Sequence, residues 1–431
     1  MYEVFGGYAL LPGGIAKDVS IAVENGRIFD IGPTKKMRSA YSFSESVGGA
    51  DRIVSPGFVD SHLHSFQVAT KGLTADESLL KWLKRYIWKW EGGLTAERAR
   101  VCSELVYLQL LRSGVTAFSD YTSVRFTDEA FNAAKRFGLR ALIGKTLMDR
   151  NSPPELEEST ADALKDSERL IRKWHRTEKG RLMCSLNPRF AITCTDDLLK
   201  GVKELSKKYS AKVATHAHEN RDEIKNDRKL YGTTAIRHYH RMGLLGPDTI
   251  LTHCVWLDNA EMDLLAKTGT GVVHCPGSNM LLSSGAADVP RMIRKKIRVG
   301  IGSDVAAYYN VSPFEQMRLA LLLQKVVTGK PLALDKNAVF NAATSAGSGI
   351  LGFRESGVLK KGMKADMILL STNHPAFSPL NDVISQIIYC AYPSCVSEVI
   401  VDGKVLMKDR KVLVADERGV LEKANEVLRQ G

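Results

Sequence analysis

No run of about 18 apolar residues occurs anywhere in this sequence, so no helix in it is expected to cross a bilayer, and no membrane partner is expected. The start, MYEVFGGYALLPGG, lacks the basic residues and apolar stretch of a secretory signal. A cytoplasmic location is the expectation. None of the seven cysteines (Cys102, Cys184, Cys194, Cys254, Cys275, Cys390, Cys395) forms a C-x-x-C pair, which excludes a zinc ribbon or thiol redox motif and leaves reduced core thiols. Acidic residues are outnumbered, 48 against 60 Lys plus Arg, for a net charge of +12. That balance raises the question of a nucleic-acid partner. The basic residues are scattered, however, in short groups such as Lys207-Lys208 and Arg294-Lys295-Lys296, with no stripe interleaved with aromatics. They read as a solvated surface, with no nucleic acid bound. The H-x-E and P-C-x-x-C signature of zinc deaminases that act on tRNA is absent too, as are internal repeats and low-complexity segments.

What is present is ordinary globular composition, 44% apolar and 25% charged, in a chain of 431 residues, long enough for one large domain and a satellite. Val19, Ile21 and Val23 alternate, followed by Asn25-Gly26 and Ile28-Phe29, the pattern of a β-hairpin. The signal returns near the end, with Met367 to Leu370 and then Val399 to Val401, Asp402-Gly403 and Val405 to Met407. The two β-rich ends are expected to join as one small β-sandwich domain, residues 1–55 and 358–431.

Residues 56–357 read differently, as short apolar strands alternating with amphipathic helices. Strands are expected at Ile53–Val59, Val115–Ser119, Ala141–Gly144, Leu182–Leu186, Lys212–Thr215, Thr249–Leu251, Gly271–Val273 and Val299–Ile301. Helices such as Leu198–Tyr209, Ala260–Lys267 and Pro313–Val327 lie between them. Eight such units predict an α/β fold, a (β/α)8 TIM-like barrel, with a doubly wound sheet as the alternative.

The histidines fall on this frame unevenly. His62 and His64 stand two apart at the end of the first barrel strand, so both rings point to one side and can reach one metal. His216 and His218 follow the strand ending at Thr215, His253 follows Thr252, His274 follows Val273, and Asp304 follows Gly302-Ser303. Six of the ten histidines thus sit at strand carboxyl ends, where barrel active sites form. His175, His238, His240 and His374 lie in helical or loop contexts and are given no role.

The order H-x-H, H-x-x-E, a lone His, then S-D resembles the amidohydrolase superfamily, in its single-metal branch that deaminates purines, pyrimidines and triazines. The resemblance runs from Asn25-Gly26-Arg27-Ile28 through Pro56-Gly57-Phe58-Val59-Asp60 to Gly362-Met363-Lys364-Ala365-Asp366. Within the branch the chain looks most like the guanine deaminases. Gln67 completes H-x-H-x-x-Q, Pro188-Arg189-Phe190 follows the fourth strand, His216 to Asn220 reads H-A-H-E-N, and Gly144-Lys145 and Met148-Asp149 match as well. His218 departs from the branch, where a small residue is usual, and the H-x-x-E register selects His216.

The resemblance implies one Zn2+ per chain, with iron possible on similar ligands, held by His62, His64, His216 and Asp304. Glu219 would shuttle protons, Asp304 would also accept the water proton, and His253 would polarise or orient the nucleophile. Arg189 and Gln67 match the donors and acceptors of guanine's lactam edge. Phe190 either contacts the ring or packs in the core, and Trp82 and Leu83 either cap the pocket or pack. The expected activity is hydrolysis of guanine to xanthine and ammonia, with a small nucleobase as the only partner besides a second copy in a homodimer. The alternatives are deamination of another heterocycle (a pterin, an oxidised purine, a triazine or a cytosine-like ring) and a non-catalytic scaffold on the same fold.

Overall fold

The computed structural model describes residues 1–73, 77, 79–305 and 310–429. The chain opens with four strands, β1 (Tyr2–Leu11), β2 (Gly14–Glu24), β3 (Arg27–Pro33) and β4 (Ser46–Pro56). Eight more follow: β5 (Phe58–Leu63), β6 (Val115–Tyr121), β7 (Arg140–Leu147), β8 (Leu182–Pro188), β9 (Lys212–Ala217), β10 (Thr249–His253), β11 (Gly271–His274) and β12 (Val299–Ile301). The chain then forms β13 (Met367–Ser371), β14 (Val396–Val401), β15 (Lys404–Lys408) and β16 (Lys411–Val412). Among the described residues no helix is long and apolar enough to cross a membrane.

Strands β5 to β12 pair in sequence order as one parallel sheet, with helices between them. Side chains along β6, β7 and β9 are buried without interruption, because a parallel sheet covered by helices has no wet face. The sheet closes into a barrel where Leu63 bridges Asp304: Asp304 N donates to His62 O at 2.8 Å and His64 N donates to Asp304 O at 3.0 Å. This approach needs Gly302, since a Cβ there would stand 2.8 Å from His62 O.

The two chain ends form a separate mixed sheet in the order β16-β15-β14-β13-β4-β1-β2-β3. Both expected hairpins are present, β2 with β3 across Asn25-Gly26 and β14 with β15 across Asp402-Gly403. The sheet encloses its own apolar core, which includes Val4, Ile21, Val54, Met367 and Ile400. One strand is corrected. Ile53–Val59 is not a single barrel strand: Ile53 to Pro56 end β4 and pair with β13, and the barrel begins at Phe58. The chain changes sheets at Gly57, where any Cβ would lie 2.1 Å from Thr116 Oγ1.

Candidate active site

Every side chain of the site stands at or just past the carboxyl end of a barrel strand. His62 is near the end of β5 and His64 follows it, His216 is on β9, His253 ends β10, and Asp304 follows β12. The donor atoms of His62, His216, His253 and Asp304 lie within 4.8 Å of one another. His64 joins them, its Nε2 3.2 Å from His216 Nε2 and 3.5 Å from Asp304 Oδ1. His62 Nε2 is 3.1 Å from Asp304 Oδ1. All five side chains are buried.

The tautomers show what this cluster needs. His64 Nδ1 lies 3.0 Å from Tyr121 O, and His216 Nδ1 lies 2.8 Å from Arg189 O. A carbonyl only accepts, so each Nδ1 carries the proton and each Nε2 presents a lone pair. Two lone pairs facing each other at 3.2 Å repel unless a cation lies between them. Carbonyl-anchored imidazoles beside a carboxylate are the usual surroundings of a bound metal, and nitrogen-rich donors with one carboxylate suit zinc chemistry. Burial, with the neighbouring His62, drives the His64 and His216 rings well below their ordinary pKa and keeps them neutral. Burial raises the Asp304 carboxyl, but the hydrogen bond from His62 and the nearby histidines outweigh it and hold Asp304 well below the usual range. Asp60 braces the arrangement, accepting from His62 N at 3.3 Å and Ser303 N at 3.0 Å.

Glu219 sits beside the cluster, its Oε2 3.5 Å from His253 Nε2 and its Oε1 buried without a partner. Burial, Asp304 and Glu223 raise its pKa well above the ordinary value, which favours its protonated form. His253 faces Glu219 and Asp304 with Nε2, while its Nδ1 lies 2.9 Å from Asn279 Oδ1. Burial lowers the His253 pKa to about 4. His218 turns away from the cluster, toward Trp256 O at 3.2 Å and Glu261 at 3.6 Å. The His274 ring lies outside the cluster as well, with both nitrogens buried and unpartnered.

Gln67, Arg189, Phe190, Trp82 and Leu83 line one pocket with His64, His216, Glu219, His253 and Asp304, and Leu79, Leu282 and Val305 complete its wall. Phe190 packs at a ring-centroid distance of 5.0 Å from His216, and Trp82 and Leu83 belong to an apolar cluster with Phe190 and Leu282. Arg189 stands in the pocket wall, and part of its guanidinium is already paired. Its Nη1 pairs with Glu91 Oε2 at 2.6 Å, and Glu91 Oε1 accepts from Gln67 Nε2 at 2.9 Å. Glu91 escaped the sequence reading, although a carboxylate in the apolar run Trp88-Lys89-Trp90-Glu91 is the type of residue buried only when paired. Glu223 escaped it too, despite standing three residues after the helix cap Asn220, the spacing of a capping box.

Imidazole lone pairs that need a cation between them, with a carboxylate beside them at the strand ends of a barrel, fit a metal-dependent hydrolase. The chain belongs to the amidohydrolase family, whose sequence profile matches residues 53–406. It is a metal-dependent aminohydrolase, a hydrolytic deaminase of a heterocycle. Among its relatives, the 5'-deoxyadenosine deaminase of Methanosarcina mazei is 36% identical over 97% of this chain and 94% of its own length. The 5-methylthioadenosine/S-adenosylhomocysteine deaminase of Pelotomaculum thermopropionicum is 34% identical over 96% of this chain and 94% of its own. Among solved structures, an adenosine deaminase from Xanthomonas campestris with bound zinc superposes with a TM-score of 0.94 at 27% identity, covering 99% of this chain and 97% of that one. Guanine deaminase of E. coli superposes with a TM-score of 0.87 at 26% identity, covering 95% and 100%.

Proposed function

We propose that the protein replaces the exocyclic amine of a purine by oxygen, releasing ammonia, with one zinc ion held by His62, His64, His216 and Asp304. The observation that carries this reading is the unpartnered, buried Glu219 Oε1 in the same pocket as the imidazole cluster. Held by these four residues, zinc, or iron on similar ligands, would make water nucleophilic at neutral pH. Glu219 gives its proton to the ring nitrogen beside the attacked carbon, the proton lost by the attacking water reaches the departing amine, and the proton left on the new hydroxyl as it becomes a carbonyl restores Glu219. His253, whose Nε2 faces both Glu219 and Asp304, orients the nucleophile, Asp304 accepts the water proton, and Phe190, Trp82, Leu83 and Leu282 exclude water.

The relatives support a 5'-modified adenosine as the first substrate to test, because nucleoside deaminases match at 32–36% identity over most of the chain. The geometry is compatible. Leu79 and Leu282 also border a second, solvent-open pocket lined by polar groups such as Asn220, Ser283 and Ser284, where a ribose and its 5' substituent would lie. Guanine is the second reading, and a specific observation favours it. Gln67 Oε1 and Arg189 Nε are buried and unpartnered, so the pocket offers one acceptor and one donor, the complement of a ring N–H beside a carbonyl.

Incubating the zinc-loaded protein separately with 5'-deoxyadenosine and with guanine, and following ammonia release and the ultraviolet spectrum, tests both. Higher kcat/KM on the nucleoside supports the first reading and faster xanthine formation the second. Ammonia from neither overturns the purine proposal.

A further inference from the structure

We infer that Glu223 is a positioning residue for Glu219, clamping the backbone elbow from which that side chain reaches the pocket. The inference rests on the reading of Glu219 as the proton carrier.

Strand β9 ends at Ala217, and the helix Arg221–Tyr231 begins after the cap Asn220, whose Oδ1 accepts from Glu223 N at 2.9 Å. A glutamate at this third helical position ordinarily returns its carboxylate to the backbone N–H of the cap residue. Glu223 reaches further, to the two residues before the cap as well. One carboxylate oxygen accepts from His218 N at 3.1 Å and the other from Glu219 N at 2.8 Å, and the residue is only 2% exposed. His218 has a φ of +53°, a left-handed conformation that a β-carbon disfavours, so the elbow persists only while its surroundings hold it. The Glu219 side chain cannot orient itself, because Oε1 has no partner and Oε2 reaches His253 only at 3.5 Å. Its aim therefore follows its backbone, and Glu223 fixes that backbone. An amide in place of the carboxylate keeps one acceptor and turns N–H groups toward a backbone N–H, releasing one of the two ties.

The test is steady-state kinetics on Glu223→Gln, Glu219→Gln and the double variant, using whichever purine the wild-type enzyme deaminates, with zinc content and thermal midpoint measured alongside. The expected result for Glu223→Gln is a kcat lowered about tenfold to a hundredfold, the usual consequence of a catalytic group misplaced by an ångström or less, with KM and zinc content close to wild type. In the Glu219→Gln background the same change is expected to lower kcat no further, since it acts through a group already removed. Equal losses in both backgrounds, or an unchanged kcat in the single variant, would overturn the inference. Near wild-type turnover in Glu219→Gln overturns the proton-carrier reading itself, whereas a deep loss there with none in Glu223→Gln overturns the clamp alone. Should the amide variant not fold, Glu223→Asp keeps both acceptor oxygens on a shorter arm, and the same fall in kcat without a shift in KM is expected of it.

Discussion

At the scale of single residues, the neutral Nε2 atoms of His64 and His216, 3.2 Å apart, make metal binding a matter of electrostatics and not of motif alone. Replacing His62 with Ala removes one nitrogen donor, and metal content per chain, read by elemental analysis, is expected to fall. His218→Ser is expected to leave it unchanged, because that ring faces Trp256 and Glu261. Gln67 separates the two substrate readings. Gln67→Met deletes the unpartnered acceptor while leaving the Arg189 to Glu91 pair in place. If guanine is the substrate, its kcat/KM is expected to fall on the order of a hundredfold or more, as when a site built to hydrogen-bond loses its partner. If a 5'-modified adenosine is the substrate, kcat/KM on it is expected to change far less. Arg189→Met is a poorer probe, since it strands Glu91 in the interior.

At the scale of elements, one buried ion pair ties the barrel to the sheet of the chain ends. Arg140, the first residue of β7, donates to both oxygens of Asp366 at 2.8 and 3.1 Å, and to Asp402 at 3.2 Å, at the turn between β14 and β15. Arg140→Met leaves the Asp366 charge buried and is expected to cost about 3–5 kcal/mol of unfolding free energy, measurable by chemical denaturation. Burial raises the Asp366 carboxyl, but Arg140 outweighs it and holds the folded pKa below 3.8. A depressed folded pKa means the folded state binds fewer protons than the unfolded one. The stability from this pair is therefore complete above the unfolded carboxyl pKa and is lost as pH falls through the folded value. Wild type and Arg140→Met are thus expected to converge in stability in strong acid, and a constant gap down to pH 2 would contradict the assignment.

At the scale of the whole molecule, barrel closure and the metal site are one structure. The hydrogen bonds that join β5 to the end of β12 run through His62, His64 and Asp304, so an ion between these side chains also holds the closing strands together. Chelation of the metal is expected to lower the thermal midpoint, with a loss on the order of 4 kcal/mol where free zinc stands about 1,000-fold above its dissociation constant. Scanning calorimetry with and without chelator checks this, and an unchanged midpoint in protein shown to have lost its ion would separate closure from metal binding. The homodimer expected from sequence is a question for sedimentation equilibrium.

Periodicity, strand ends and turn residues are local properties, and they sufficed to predict the (β/α)8 barrel, both hairpins of the end sheet, and the strand ends on which His62, His64, His216, His253 and Asp304 stand. The H-x-x-E register selects His216 over His218; the structure places the first ring in the cluster and turns the second toward Trp256. Three things needed the tertiary structure. The break at Gly57 was invisible because Ile53 to Pro56 and Phe58 to Leu63 are apolar alike, and only pairing partners assign them to different sheets. The pairing of Arg189 with Glu91 is not legible locally because the two lie 98 residues apart in sequence. The clamp by Glu223 carried a visible capping spacing, but which backbone N–H groups its carboxylate meets depends on the left-handed turn at His218. Sequence by itself determined which side chains arrive at the barrel mouth, because strand alternation and strand ends are set by near neighbours. Only the tertiary structure decided what each of them faces, because a buried charge takes its partner from whatever distant segment packs against it.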